Sequence, residues 1–119
     1  MRLKSEVWVK AYLRACAGAG AFAAVVRHGD DDAGAIFVRI NRLDGTSLLF
    51  GPAPAGLEGL ETDRCWVERL DPRGVPDEAA EAFLRREAEF DPDLWIIEVE
   101  DAKGRHFLDG WLTTGRARD

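Results

Sequence analysis

Residues 18–23 read GAGAFA, which has the G-x-G-x-x-A spacing of a dinucleotide-binding turn. How this stretch is read decides the fold. In a nucleotide-binding unit the glycines follow a strand and open a helix, whose N-terminal N–H groups and positive dipole hold the pyrophosphate. Here the flanks run the other way. SEVWVKAYLRACA (5–17) comes first and reads as a helix. Val9, Tyr12, Leu13 and Cys16 fall on one stripe, and Trp8 extends it through Tyr12. Ser5 is placed to cap its start, and Glu6 suits the positive end of the dipole. FAAVVRH (22–28) follows and reads as a strand. Gly18 and Gly20 therefore stop a helix, and the helix end facing them repels phosphate. No parallel βαβ unit follows, so nucleotide binding is not expected at this turn.

Outward from that turn the chain alternates in period two. GDDDAG (29–34) leads into AIFVRINR (35–42), the clearest strand. Asp44-Gly45 signals a two-residue type I′ hairpin, and SLLF (47–50) returns. GPAPAGLEG (51–59) is a Gly/Pro loop, and CWVERL (65–70) a fourth strand. A second helix is expected over 76–90, opened by Pro76 and an acidic first turn, with Ala79, Ala80, Phe83, Leu84 and Ala88 on its mainly apolar face. LWIIEVE (94–100) is a strand, and RHFLD (105–109) a short partner for it. This order implies an α+β fold. It has a mainly antiparallel sheet of five or six strands in a meander, with both helices covering one sheet face. Residues 1–112 form one domain, and 113–119 a polar tail.

The hairpin register makes a further expectation. With Asp44 and Gly45 as the loop, Asn41 pairs with Leu48 and Arg39 with Phe50. Paired residues share a face. Ile36, Val38, Ile40 and Leu49 then meet the helices, while Phe37, Arg39, Asn41, Leu43, Leu48 and Phe50 form a mixed second face. Either the 51–64 loop or the tail covers it, or it is an interface. Aromatics with Arg are enriched at interface centres, and a second copy of the chain is the commonest partner. Phe37, Arg39, Asn41, Leu48 and Phe50 are the interface candidates.

Bulk properties exclude several classes. The chain has 119 residues, a net charge of −6 and a pI near 4.9, so its field repels nucleic acid. No apolar run is long enough to span a bilayer. ACAGAGAFAAVV (15–26) resembles a signal peptide, but it is rich in Ala and Gly and lacks Leu, so export is not expected. Cys16 and Cys65 read as buried free thiols of a cytoplasmic protein. With His28 and His106 they lack zinc-ligand spacing. Asp30, Asp31 and Asp32 lack the spacing of a calcium loop and read as a solvated turn. Trp8, Trp66 and Trp95 read as core anchors. Neither a metal nor a cofactor is expected. No nucleophile motif is present, which favours a non-enzymatic protein-interaction or adaptor domain. The alternative is a small enzyme or small-molecule binder with a pocket between the sheet and the 51–64 loop. There Asp93, Glu98 or His106 would supply acid/base groups, and Arg39 or Arg42 would hold an anion.

RLKSEVWVKAYLR, GAIFVRINRLDGTSLLFGP, FDPDLWIIEVED and GRHFLD occur in this order along the chain. Together they resemble a group of small alphaproteobacterial proteins, domain of unknown function fourteen-ninety-one. The resemblance covers nearly the whole chain and is weakest at 53–64 and after Trp111. It implies a free-standing, cytoplasmic single-domain protein and brings no activity, cofactor or catalytic residue.

Overall fold

The computed structural model describes residues 3–53 and 64–112. Helix α1 (Ser5–Gly18) turns Trp8, Val9, Tyr12 and Cys16 inward. The helix runs through Gly18, and the reversal falls to Gly20, which takes φ +85°. Gly20 N–H donates to the Ala17 carbonyl, and Ala21 N–H to the Cys16 carbonyl. These two bonds form a Schellman motif, which satisfies the last helical carbonyls while a left-handed glycine turns the chain. Ser5 gives no side-chain cap. Its hydroxyl instead donates to the Gly34 carbonyl at 2.6 Å and accepts from Arg64 Nη2 at 2.7 Å, pinning the helix start to the loop at residue 34.

The strands are β1 (Phe22–Arg27), β2 (Ile36–Asn41), β3 (Thr46–Pro52), β4 (Trp66–Arg69), the short β5 (Val75–Pro76) and β6 (Trp95–Glu100). Helix α2 (Asp77–Phe90) precedes β6. The fold is α+β with six mostly antiparallel strands, and both helices lie where the sequence puts them. The strand order is β1-β6-β2-β3-β4, with β5 also pairing with β3. Strands β2, β3 and β4 form the expected meander. Strand β6 inserts between β1 and β2 and runs parallel to β2. Its composition explains the place. Trp95, Ile96, Ile97 and Val99 are all buried, and only an interior strand has cover on both faces. RHFLD forms no strand; it belongs to a loop that sends Leu108 into the core. The expected Gly/Pro loop, apart from Gly51–Ala53, and the tail lie outside the described residues.

The helices cover opposite faces, a correction to the one-face expectation. On one face α1 packs against Ile36, Val38, Ile40, Phe50, Trp66, Trp95, Ile97 and Val99. Trp8 stacks between Tyr12 and Trp66, at ring centroid distances of 4.8 and 4.2 Å. Trp8, Trp66 and Trp95 are thus core anchors. On the other face Leu84 of α2 meets Phe37, Leu49, Leu94 and Ile96.

The hairpin register differs from the expectation by one residue. Asn41 pairs with Ser47, Ile40 with Leu48, Arg39 with Leu49 and Val38 with Phe50. Side chains replace the two-residue turn. Asn41 Oδ1 accepts from Leu43 N–H at 2.8 Å, and Asp44 Oδ1 accepts from Thr46 N–H at 2.9 Å. Leu43 and Gly45 both take positive φ, 64° and 90°. A one-residue slip sends each β3 side chain to the other face. Leu48 and Phe50 therefore join the α1 face, and Ser47 and Leu49 the α2 face.

The loop after β6 is held by Asp101. Its carboxylate accepts from Arg105 N–H at 2.8 Å and Arg105 Nη2 at 2.7 Å. Beyond it, the His106 carbonyl accepts from the Tyr12 hydroxyl, and the Trp111 carbonyl from Trp66 N–H. Arg105 holds the Asp101 carboxyl below its ordinary value. A folded-state pKa below the unfolded one gives stability that is present above about pH 4 and is lost as pH falls through the depressed value. Thermal melts should therefore show a flat midpoint from neutrality to about pH 4 and a fall below it. Asp101→Asn should cost about 1–2 kcal/mol at pH 7 and make that acid limb shallower. At the helix end, Gly20→Val places a β-branched residue at positive φ and should cost about 1–2 kcal/mol in a urea titration. A Cβ at Gly18 meets open space. Gly18→Ala should therefore be neutral or stabilise by up to about 1 kcal/mol.

Candidate functional site

Arg39 lies at the seam between the sheet and α2, with its side chain only 8% exposed. Its Nε donates to Ser47 Oγ at 3.0 Å, and Ser47 Oγ donates in turn to Asp77 Oδ1 at 2.6 Å. Nη2 lies 3.3 Å from Asp77 Oδ1, and Nη1 lies 3.4 Å from Glu81 and 3.5 Å from Glu98. Asn41 Nδ2 holds the other oxygen of Glu98 at 3.1 Å. One buried cation thus joins β2, β3, β6 and α2. Three carboxylates around it leave a local excess of negative charge.

Beside this cluster is a groove of about 210 Å³, lined by Val26, Arg39, Glu81, Leu84, Arg85, Ile96 and Glu98. Its floor continues across β1. Parity along β1 puts Phe22 and Ala24 beside Glu100 and Glu98 on the α2 face, and Ala23 and Val25 beside Val99 and Ile97 on the α1 face. A bulge follows Val25 and sets both Val26 and Arg27 against Ile96. Phe22 is 63% exposed and Val26 60%. Among the described residues strand β1 pairs with β6 alone and closes its side of the sheet as an edge. The opposite edge, β4, carries a bridge from Trp66 to Leu112. Edge strands are ordinarily blunted by Lys, Pro or charge. FAAVV (22–26) holds none of these; the strand's one charge, Arg27, lies at its end beside the bulge.

The five interface candidates do not form one surface. Phe37, Arg39 and Asn41 lie under α2, and Leu48 and Phe50 under α1, because of the one-residue register difference. Phe37, Arg39 and Phe50 are buried within the chain. Helix α2 covers Phe37 and Arg39, and the cover expected from the 51–64 loop or the tail falls mostly on residues outside those described. The four ligand candidates are also dispersed. Arg42 spans the hairpin, donating to Thr46 Oγ1 at 3.0 Å and to the Arg73 carbonyl at 2.8 Å. Asp93 is exposed at the start of β6, where its carbonyl accepts from Asp30 N–H. Glu98 belongs to the Arg39 cluster. His106 lies on the α1 side, with its ring 5.2 Å from Phe50, and its Nδ1 accepts from Leu108 N–H at 2.8 Å. Among the described residues a hollow of about 310 Å³ beside it is lined by the 103–109 loop, where Arg105 is already committed to Asp101. Of all these candidates only Arg39 and Glu98 line the groove. Sequence reasoning found β1 as a strand but did not single it out as a candidate site. The signal was present in FAAVV, an apolar run with two alanines where an interior strand would carry larger side chains.

Cys16 and Cys65 are free thiols. Burial pushes the Cys16 thiol and the Tyr12 hydroxyl above their ordinary values, which suits packing. Among the described residues no three His, Cys, Asp or Glu side chains are grouped to hold a metal ion. Nor is any helix among them long and apolar enough to cross a membrane.

A family model described as "Protein of unknown function (DUF1491)" matches residues 3–109. The crystal structure of a DUF1491 family protein from Caulobacter crescentus CB15 is similar, with a TM-score of 0.77 and 36% identity, over 96% of this chain and 100% of that one. An NMR structure of a DUF1491 family protein from the same organism gives 0.77 and 37%, over 96% and 99%. The solution structure of protein Atu0922 from A. tumefaciens gives 0.72 and 45%, over 84% and 86%. No curated protein matches the chain.

The Arg39 cluster gives a direct test of what holds α2. Removing one partner of a buried ion pair costs about 3–5 kcal/mol. Glu81 is half exposed here and can rehydrate, which lowers the figure. Arg39→Met should lose about 2–3 kcal/mol in guanidinium titration with the folded far-UV spectrum retained.

Proposed function

The chain belongs to the DUF1491 family, described as proteins of unknown function, and from its own geometry we propose that it is a protein-interaction domain that docks through the open β1 side of its sheet. The observation that carries this is an edge strand, lightly guarded by a bulge and a terminal Arg27, with two exposed apolar side chains, Phe22 and Val26, on one face. The other large exposed hydrophobics, such as Leu43, Leu70 and Phe90, are scattered, and single ones are ordinary on any protein. An edge offers main-chain hydrogen bonds for affinity, and the groove beside Val26 offers a pocket for one side chain. The domain acts by binding and needs no reacting group.

The Arg39 groove also supports a second reading, a small-molecule site with Arg39, Arg85, Glu81 and Glu98 as its polar contacts. Its volume of about 210 Å³ favours docking, because pockets for small ligands start near about 300 Å³. A thermal-shift panel of metabolites separates the two. A ligand at 100 times its Kd stabilises by about 2.7 kcal/mol.

Photocross-linking in cells tests docking. A photoreactive residue in place of Val26 should give protein adducts that the same group at Leu70 does not. Equal adducts at both positions, or none at Val26, overturn the reading.

A further inference from the structure

We infer that the occupant of the β1 edge is a second copy of this chain, paired antiparallel through a two-fold axis at Ala24. The inference rests on the docking reading and deepens it by naming the partner. Directly opposed residues of an antiparallel pair share a sheet face. Phe22, Ala24 and Val26 lie on the α2 face and Ala23 and Val25 on the α1 face, so only registers that keep this parity are allowed. Centring the axis on Ala24 sets Ala24 against Ala24 of the second copy. It sets Phe22 against Val26, and Ala23 against Val25.

This register is self-complementary in three respects. The two most exposed side chains of the strand, Phe22 and Val26, cover each other twice, once on each side of the axis. The residue at the axis is small, which suits the place where two identical side chains must meet. Phe22 of the second copy, lying opposite Val26, reaches the mouth of the groove that Val26 lines with Leu84 and Ile96. The match is one of shape. Arg27 of the second copy follows Val26 at that end of the strand, but its Nη2 donates to the Pro92 carbonyl of its own chain at 2.9 Å, so no new ion pair is needed. The two-fold repeats the match, as an isologous interface requires. Val26, the bulge residue, then forms the last pair at each end of the joined strands.

An edge of this length makes a small interface, so association should depend on concentration. Sedimentation or light scattering should show the mass rising from one chain toward two as concentration increases. Phe22→Glu with Val26→Glu should hold it at one chain with the far-UV spectrum unchanged. Cysteine scanning tests the register. Opposed Cα atoms lie about 4.5–5.5 Å apart, within disulfide reach. In a Cys65→Ser background, Ala24→Cys should form a disulfide-linked dimer under mild oxidation. Val25→Cys, which faces Ala23 of the second copy, should not.

Three results overturn the inference: a mass of one chain at every concentration up to the solubility limit, equal cross-linking of Ala24→Cys and Val25→Cys, or a dimer untouched by the double glutamate change. If the chain stays monomeric while the photoreactive group at Val26 captures a different protein, the second copy is excluded and the docking reading stands. If it is monomeric and Val26 captures nothing, both fail.

Discussion

A buried guanidinium must be surrounded by acceptors, and Arg39 meets that demand by drawing four elements together. Burial of an unpaired charge costs several kcal/mol, so the surroundings of Arg39 are tightly specified. The demand reaches the hairpin. In the observed register Ser47 lies on the Arg39 face, accepts from its Nε and passes a hydrogen bond to Asp77 at the start of α2. Slipped by one residue, β3 would put Phe50 beside Arg39 and turn Ser47 toward the aromatic cluster around Trp8. Polar pairing and aromatic packing thus choose the same register, and the helix follows from it.

Where α2 settles decides what stays open. A helix with its side chains is about 10 Å wide, and neighbouring strands are about 4.8 Å apart. One helix therefore covers about two strands of a five-strand path. The α1 face has extra cover from Leu108 and Trp111 of the last loop. On the α2 face, Arg39, Asp77 and Glu81 hold the helix over the middle of the sheet. Among the described residues nothing lies over Phe22 and Val26. The open side of β1 is thus a consequence of where the buried charge sits.

Much of this was legible in the sequence. The period of Trp8, Val9, Tyr12 and Cys16 gives α1, and Pro76 with its acidic turn gives α2. The turn at 18–23 was readable too, because a phosphate-binding helix and a terminating helix demand opposite flanks. The register was not readable from Asp44-Gly45, since Asn41 and Asp44 bond backbone N–H groups that a type I′ turn leaves to the strands. Strand order was also hidden. Pairing of β6 with β1 and β2 is a contact across the whole chain, and local propensity does not encode it. The buried run WII in β6 hinted at an interior strand, and FAAVV at an edge. The candidate site suffered most, because a single misplaced residue moved Leu48 and Phe50 through the sheet.

Four of the polar groups that chemistry could use are engaged inside the fold. Glu98 answers Arg39 and Asn41, Asp101 answers Arg105, His106 Nδ1 answers Leu108, and Arg42 spans the hairpin. Each of these contacts fixes a segment, and breaking one to perform a reaction would loosen that segment. The apolar groups on β1 have no such internal use. Phe22 and Val26 contribute little to the core, and leaving them in water forgoes about 25 cal/mol for each Å² of apolar surface. A strand that spends hydrophobic area on solvent gains it back only when something covers it. That asymmetry, polar groups occupied and apolar groups waiting, is the physical reason to look for the function at the edge of the sheet.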